Sequence, residues 1–294
     1  MELPLLRGRA RAAFAALRPR QWTKNALVFA GIVFAARTGD AGKWLEAVAA
    51  FVTYCAASSA AYLLNDLRDV ELDRLHPSKR LRPIARGELS ERAVASIALA
   101  LVAVAVVLAS LLGIWSLALL LGFLVLQTAY SLVLKHVVLL DVSAIAGLFV
   151  IRAAAGAIAV HVHISPWLLA CTALLALFLA LAKRRAELAL VAAEATPGRP
   201  VLGGYSRVLL DRLVAALAVA TVLAYTAYTL TGGNSRWMAV TIPFVVFGIG
   251  RYVLLIRGRG AGEEPEEVLL RDLPLLAAIV AWAAACTAIL LTTS

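Results

Sequence analysis

Apolar segments recur along almost the whole chain, and this recurrence constrains its fold more than any other feature. Nine can be counted, at roughly 25–36, 46–64, 93–112, 114–133, 138–160, 166–182, 210–230, 237–256 and 268–291. Most reach the ~20 residues that an α-helix needs to cross the hydrocarbon core of a bilayer. With 62% hydrophobic residues, the composition lies well beyond that of a soluble globular domain. The pattern predicts an all-α polytopic membrane protein with nine transmembrane helices, in a single integral membrane domain over residues 1–294.

The basic residues are distributed unevenly among the segments that connect these helices. If the N-terminus lies in the cytoplasm, 24 of the 28 Lys and Arg residues fall on the cytoplasmic side and 3 on the other. By the positive-inside rule, this asymmetry predicts a cytoplasmic N-terminus and an external C-terminus. The formal net charge of +10 is therefore explained by topology, and we expect no nucleic-acid partner.

A group of oxygen-bearing side chains follows directly on the second apolar segment. This acid motif consists of Asn65, Asp66, Asp69 and Asp73. If the helix continues through it, Asn65, Asp69 and Asp73 are spaced i, i+4, i+8, and Asp66 falls on the same side. Like charges on one helical face are unfavourable unless a cation neutralises them, and oxygen ligands suit Mg²⁺. The motif predicts a magnesium–diphosphate site, with all four residues as metal ligands and the three aspartates as catalytic residues.

A cluster of cations begins six residues after Asp73. A diphosphate on Mg²⁺ leaves oxygens that Lys and Arg can bind. Lys79 and Arg82 are therefore predicted phosphate ligands, although a basic loop of this kind also serves topology alone.

A second cluster, residues 183–187, lies at the end of the sixth apolar segment. Within it, Lys183 and Glu187 are spaced i, i+4 and could simply pair. The two polar loops are four helices apart on one predicted side, which suggests two parallel half-repeats. That arrangement places Lys183 and Arg184 opposite the acid motif, where cations suit a second phosphate better than a second metal.

Three further residues are predicted to line a polar cavity that faces the cytoplasm. Arg152 lies near the middle of the fifth apolar segment, where a charge almost always faces the bundle interior or a wet cavity. Lys24 opens the first helix and could reach into the cavity or anchor the helix at the interface. Tyr62, one turn before Asp66, could supply a hydroxyl.

Together these motifs resemble the UbiA superfamily of intramembrane prenyltransferases. The resemblance implies a nine-helix bundle with a lateral opening to the lipid, in which a first Asp-rich motif holds a diphosphate through Mg²⁺. A second Asp-rich motif normally follows helix 6 in that superfamily. This chain departs there, because the cluster at residues 183–187 contains no D-x-x-x-D.

The departure resembles one branch, the decaprenyl-phosphate phosphoribosyltransferases. The stretches that carry the likeness are 18–25, 76–84, 134–136, 151–153, 183–188, 251–252, 262–266 and 270–272. The branch implies phosphoribosyl diphosphate as the donor, a polyprenyl phosphate as the acceptor, the bacterial plasma membrane as the location, and a homotrimer.

The resemblance also implies a role for each candidate residue. The acid motif, Lys79 and Arg82 would hold the diphosphate, while Lys183 and Arg184 would hold the 5-phosphate and Glu187 the ribose hydroxyls. Lys24, Lys135 and Arg152 are candidates for the lipid phosphate. Two alternatives stay open at this point: an aromatic prenyltransferase of the same superfamily, and a lipid-linked carrier or transporter.

Overall fold

The structure is a computed structural model that describes residues 3–34, 39–75, 79–194, 200–232, 235–258, 268 and 271–293. These residues form α-helices and 3₁₀ turns, with no β-strand in the described part. The helices are α1 (Leu3–Ala16), α2 (Ala30–Phe34), α3 (Ala41–Arg68), α4 (Val70–Leu75), α5 (Glu91–Leu111), α6 (Ile114–Leu132), α7 (Leu140–Ala159), α8 (Pro166–Glu194), α9 (Arg207–Thr231), α10 (Ile242–Gly258) and α11 (Leu273–Thr293). The all-α prediction is confirmed.

Eight helical segments within the described residues are long and apolar enough to cross a membrane. In two of them, α3 and α7, 61% of the apolar window is buried, whereas in the others the buried share is between 17% and 33%. The buried faces of α3 and α7 are rich in alanine. Small residues let helix backbones approach closely where lipid supplies no hydrophobic driving force. Asp66 lies on α3 and Arg152 on α7, and both are buried, so the fold places these two charged groups inside the bundle.

The predicted first span, 25–36, is not among these eight segments. Its described part is a 3₁₀ helix over Pro19–Phe29 that continues into the short α2, and residues 35–38 lie outside the described residues. The 3₁₀ helix packs so closely on α7 that a Cβ added to Gly156 would lie 1.9 Å from the carbonyl oxygen of Val28. This close approach gives a physical reason for the tighter backbone.

The polar end of α3 is almost continuous with α4. Asp69 caps α3, its N–H donates to the Asn65 carbonyl at 3.0 Å, and the Asp73 N–H donates to the Asp69 carbonyl at 2.9 Å. The i, i+4 spacing expected of a continuing helix is thus kept across the break. His76, Pro77 and the predicted 262–266 stretch lie outside the described residues.

Candidate active site

Two carboxylates of the acid motif are buried, and arginines neutralise both. Nη2 of Arg18 lies 2.6 Å from Oδ1 of Asp66, and Nη1 of Arg82 lies 3.0 Å from the same oxygen. The same Arg82 nitrogen also donates to Oδ2 of Asp73. Asp66 lies on α3 and Asp73 on α4, and in this structure Arg82 is the cation that joins them.

The loop that carries Arg82 is held against the end of the bundle. Ile84 and Ala85 are buried, and Nε of Arg74 donates to the carbonyl of Ala85 at 3.2 Å. Arg82 also begins a turn, because its carbonyl accepts the N–H of Arg86 at 3.0 Å. The chain thus returns to the acid motif within nine residues of Asp73.

The side chain of Asp69 contacts other cations than Asp66 and Asp73 do. Arg68 Nε donates to its Oδ1 at 3.0 Å, and Nζ of Lys135 lies 3.9 Å from its Oδ2. Arg68 also donates to Oδ1 of Asn65 at 3.0 Å. Burial alone would raise the pKa of Asp69, but the Arg68 hydrogen bond and the charges of Lys135, Arg68 and Lys79 outweigh it and hold this pKa below its usual value.

An open cleft of about 450 Å³ brings the two parts of the acid motif together. Its walls mix carboxylates and cations from the end of α3, from α4, and from the 3₁₀ turns that hold Lys79 and Lys135, with the end of α6 beside them. The lining residues are Arg68, Asp69, Leu72, Asp73, Lys79, Ser131, Leu132, Lys135 and His136. A mixed lining of this kind suits a ligand that is itself strongly anionic and carries a metal ion.

The donor atoms of the cleft fit magnesium when a ligand completes its coordination. Within the described residues, no three His, Cys, Asp or Glu side chains are grouped so as to hold a metal by themselves. Mg²⁺ is usually held by one or two carboxylates plus water and substrate phosphates. Asp69 and Asp73 line one cleft, with Asn65 beside Asp69, which meets that smaller requirement.

The second predicted cluster forms a buried ionic group at the same end of the bundle. Arg184 is 1% exposed, its Nε lies 2.8 Å from Oδ2 of Asp141 on α7, and its Nη1 contacts Glu187. Arg185 pairs with Asp211 on α9. Lys183 is half-buried. Arg184 is therefore committed to two acids, and Lys183 is the more accessible cation of the predicted pair.

Arg152 lies in the core and binds neutral groups. Its Nε donates to Oδ1 of Asn25 at 2.7 Å, its Nη1 donates to the carbonyl of Leu148 at 3.0 Å, and its guanidinium lies 4.8 Å from the ring centroid of Phe123. No carboxylate in the described part of the chain lies within ion-pair distance of it. A buried guanidinium without a counter-charge attracts an anion.

The remaining predicted residues lie around the 3₁₀ helix. Nζ of Lys24 donates to Oε1 of Gln21 at 2.6 Å. The ring of Tyr62 lies 5.1 Å below the guanidinium of Arg18. Tyr62 is thus next to the Arg18–Asp66 pair, whereas Lys24 is not a lining residue of the cleft.

Sequence reasoning missed three residues of this site: Arg18, Asp141 and Tyr205. Arg18 was visible only as part of a basic stretch, and Asp141 only as an acid at the start of an apolar segment. Tyr205 donates to Oδ1 of Asp141 at 2.6 Å, although 64 residues separate them. No local spacing could indicate these partners.

Fold and site together define a polytopic helical membrane protein whose polar site lies where its two central helices reach one end of the bundle. A sequence model of the UbiA prenyltransferase family matches residues 26–271. The chain therefore belongs to the UbiA prenyltransferase family and is an integral membrane protein.

Its similar relatives include transferases of one branch. The decaprenyl-phosphate phosphoribosyltransferase of Mycobacterium tuberculosis is 38% identical over 92% of this chain and 91% of the relative. The enzyme of the same name from Mycolicibacterium smegmatis is 39% identical over 91% of this chain and 88% of the relative.

A solved structure has the same fold. A UbiA homologue from Archaeoglobus fulgidus, bound to GPP and Mg²⁺, superposes with a TM-score of 0.72 at 20% identity, covering 95% of this chain and 99% of the other. The expected family and its all-α membrane fold are confirmed.

Proposed function

We propose that this chain transfers the 5-phosphoribosyl group from phosphoribosyl diphosphate to a polyprenyl phosphate of the decaprenyl type and releases pyrophosphate. The names of the relatives support this reaction. The observation that carries it is the contact of Arg184 with both Asp141 and Glu187. A superfamily member with two metal sites needs carboxylates at the end of α8 that are available to a second metal. Here the carboxylates of Asp141 and Glu187 both contact Arg184 instead.

The diphosphate of the donor is proposed to bind in the cleft. Asp69, Asp73 and Asn65 would hold Mg²⁺ there, and Lys79 and Lys135 line the same cleft and would contact phosphate oxygens. When bound, Mg²⁺ offsets the charge that develops on the departing pyrophosphate. Arg82 and Arg18 orient the acid motif through Asp66.

The other end of the donor carries a single phosphate on C5. We assign Lys183 to that phosphate, because it is half-buried whereas Arg184 is fully buried within its ion pairs. Arg184 then orients Glu187, which is placed to accept hydrogen bonds from the ribose hydroxyls. In this arrangement the diphosphate end of the donor is held by carboxylates with a metal ion, and the 5-phosphate end is held by Lys183. The two parts of the site thus match the two anionic ends of the donor.

The acceptor needs no general base in this reaction. Its phosphate oxygen is already anionic near neutral pH, so it can attack C1 directly. The new bond joins C1 to that oxygen, the bond from C1 to the pyrophosphate oxygen breaks, and C1 inverts. Arg152, with no acidic partner in the described residues, is proposed to attract the lipid phosphate, and Lys24 is the second candidate.

The location follows from topology. We propose that the cleft and the N-terminus face the cytoplasm and that the protein resides in the bacterial plasma membrane, because most basic residues lie on that side. A homotrimer is proposed on the resemblance to the branch.

A transfer assay with the purified full chain tests the proposal. Labelled phosphoribosyl diphosphate, decaprenyl phosphate and Mg²⁺ are incubated, and the label is followed into the lipid phase with and without EDTA. Lipid-bound label that EDTA abolishes is expected. No label, together with transfer from a polyprenyl diphosphate to an aromatic acid, would instead establish the prenyltransferase alternative.

A further inference from the structure

The segment between α6 and α7 joins the cleft to the buried ionic group. Its 3₁₀ turn, Leu134–His136, carries Lys135 and His136 into the cleft wall. Five residues after this turn, Asp141 contacts Arg184. Contacts that fix the backbone between Lys135 and Asp141 therefore also fix the position of Lys135.

Leu139, in the middle of this segment, has an unfavourable backbone conformation. Its φ is 67° and its ψ is −35°, in a region that residues with a side chain rarely occupy. Its side chain is about half exposed, so packing does not hold it. Such a conformation persists only where the surroundings impose it.

The Leu139 carbonyl accepts the N–H of Ser143 at 2.9 Å at the start of α7, and the group that holds the Leu139 N–H is the hydroxyl of Tyr205. It accepts the backbone N–H of Leu139 at 2.8 Å and donates to Oδ1 of Asp141 at 2.6 Å. Asp141 is fully buried beside Arg184, so it is an acceptor, and the phenol uses its single proton there and its lone pair on Leu139. Burial, together with the bond to Asp141, raises the pKa of Tyr205 to about 12, which keeps that proton in place near neutral pH.

A second contact presses the same two segments together. Gly204, next to Tyr205, approaches Val138 so closely that a Cβ on it would lie 2.4 Å from Cγ2 of Val138. The connection between α8 and α9 thus contacts the segment at two consecutive residues, Val138 and Leu139.

We propose that Tyr205 is a positioning residue for the donor site: through Leu139 and Asp141 it fixes residues 134–139 so that Lys135 stands beside Asp69. It touches no substrate itself. The role of Lys135 in holding the donor rests on the proposed function, whereas the mechanical link from Tyr205 to the segment does not.

The first test is kinetic and uses Tyr205→Phe in the full chain. Loss of the hydroxyl is expected to raise the KM for phosphoribosyl diphosphate about tenfold, the effect of one misplaced charged hydrogen-bond donor. The KM for the polyprenyl phosphate should stay within about twofold. Tyr205→Phe combined with Lys135→Ala should be no worse than Lys135→Ala alone, because both changes remove the same contact. If the double variant raised the donor KM by the product of the two single effects, the proposal would be overturned. A rise confined to the KM for the polyprenyl phosphate would overturn it as well.

Tyr225→Phe is the matched control for buried-hydroxyl loss. Tyr225 is buried like Tyr205, and its hydroxyl makes hydrogen bonds with Thr241 at 2.6 Å, with Trp282 at 2.8 Å and with Cys286 at 3.8 Å. It lies 18 residues along α9 from Arg207, roughly 27 Å at 1.5 Å per residue. It is expected to cost stability and leave the donor KM unchanged. If Tyr225→Phe raised the donor KM as much as Tyr205→Phe does, Tyr205 would have only a structural role.

Hydrogen exchange supplies a readout that is independent of catalysis. Tyr205→Phe should speed amide exchange at residues 134–139, where Leu139 N–H loses its acceptor, and Tyr225→Phe should not. Gly204→Ala should have the same effect, and adding Val138→Ala should reverse it by making room for the new Cβ. Unchanged exchange at 134–139 would overturn the proposal. A wild-type protein without transfer activity would refute the proposed function alone, and the exchange result would still decide whether Tyr205 holds the segment.

Discussion

One nitrogen of Arg18 contacts both carboxylate oxygens of Asp66, at 2.6 Å and 2.8 Å. Arg18 has a left-handed backbone, with φ 55° and ψ 60°, which is unfavourable for a residue with a side chain. Asp66 is buried at the end of α3. The ion pair thus fastens the start of the 3₁₀ helix to the acid motif, and the strain at Arg18 accompanies that connection.

Arg18→Ala should destabilise the protein by about 1.5–3 kcal/mol, the range for a hydrogen bond to a charged group. Arg18→Gly loses the same ion pair but suits the left-handed backbone, so its loss should be smaller. Thermal unfolding in detergent measures both, with the exposed Arg20→Ala as the control. Equal losses for the Gly and Ala variants would show that the backbone at Arg18 stores no strain.

Asp69→Asn and Asp66→Asn should separate catalysis from structure. Asp69 faces the cleft, so its variant should lose transfer activity by about a hundredfold or more and should lose less stability than the Asp66 variant. Asp66 lies between Arg18 and Arg82, so its variant should lose stability as well. Transfer assays paired with thermal unfolding make the comparison. Full activity in Asp69→Asn would refute its assignment to the metal.

The helical fold was predictable from sequence because the length and hydropathy of a span are local properties. The first predicted span shows the limit of that reasoning. The sequence at 25–36 is predicted to form a membrane helix, yet its first part belongs to the 3₁₀ helix Pro19–Phe29, in which Val28 lies against Gly156. A contact between residues more than a hundred positions apart leaves no periodic trace in one sequence.

The same distinction holds in the candidate site. Asp66, Asp73 and Arg82 lie within 17 residues, so their encounter could be anticipated from spacing. Arg18 comes from 48 residues away and Tyr205 reaches Asp141 across 64. Charge reasoning indicated that the acids of the motif need a cation, and it named magnesium. In the structure each of these three aspartates contacts an arginine, and Asp69, with 25% of its side chain exposed, is the acid most open to the cleft.

The buried pair of Asp141 and Arg184 should behave as a coupled unit. Arg184→Gln leaves Asp141 buried without its arginine and should cost about 3–5 kcal/mol, whereas Asp141→Asn leaves Arg184 its contact with Glu187 and should cost less. The double variant removes both charges, so its loss should fall well short of the sum of the single losses. Unfolding of all four proteins closes the cycle. Strict additivity would mean that the 2.8 Å contact carries no interaction energy.

The lowered pKa of Asp69 predicts how its contribution to stability depends on pH. Because the folded pKa lies below the usual value, the stabilisation is fully present above that usual value and is lost only as pH falls through the folded pKa. In EDTA, the difference in stability between wild type and Asp69→Asn should therefore stay constant from pH 8 to about pH 5. Unfolding curves across this range test it, and a difference that shrinks between pH 7 and pH 5 would contradict it.

Gly156→Ala should disturb the site from a distance, because the new Cβ would lie 1.9 Å from the Val28 carbonyl oxygen. Backbone has to move, and the segment that moves carries Asn25, whose Oδ1 accepts from Arg152. Overpacking of this kind costs about 1–3 kcal/mol. Gly122→Ala on α6 is the matched control, since no atom lies within 4 Å of its added Cβ and alanine is the better helix former. Thermal unfolding should show a loss for Gly156→Ala and none for Gly122→Ala. Equal behaviour of the two variants would mean that the 3₁₀ helix is not wedged against α7, and its geometry would then need another cause.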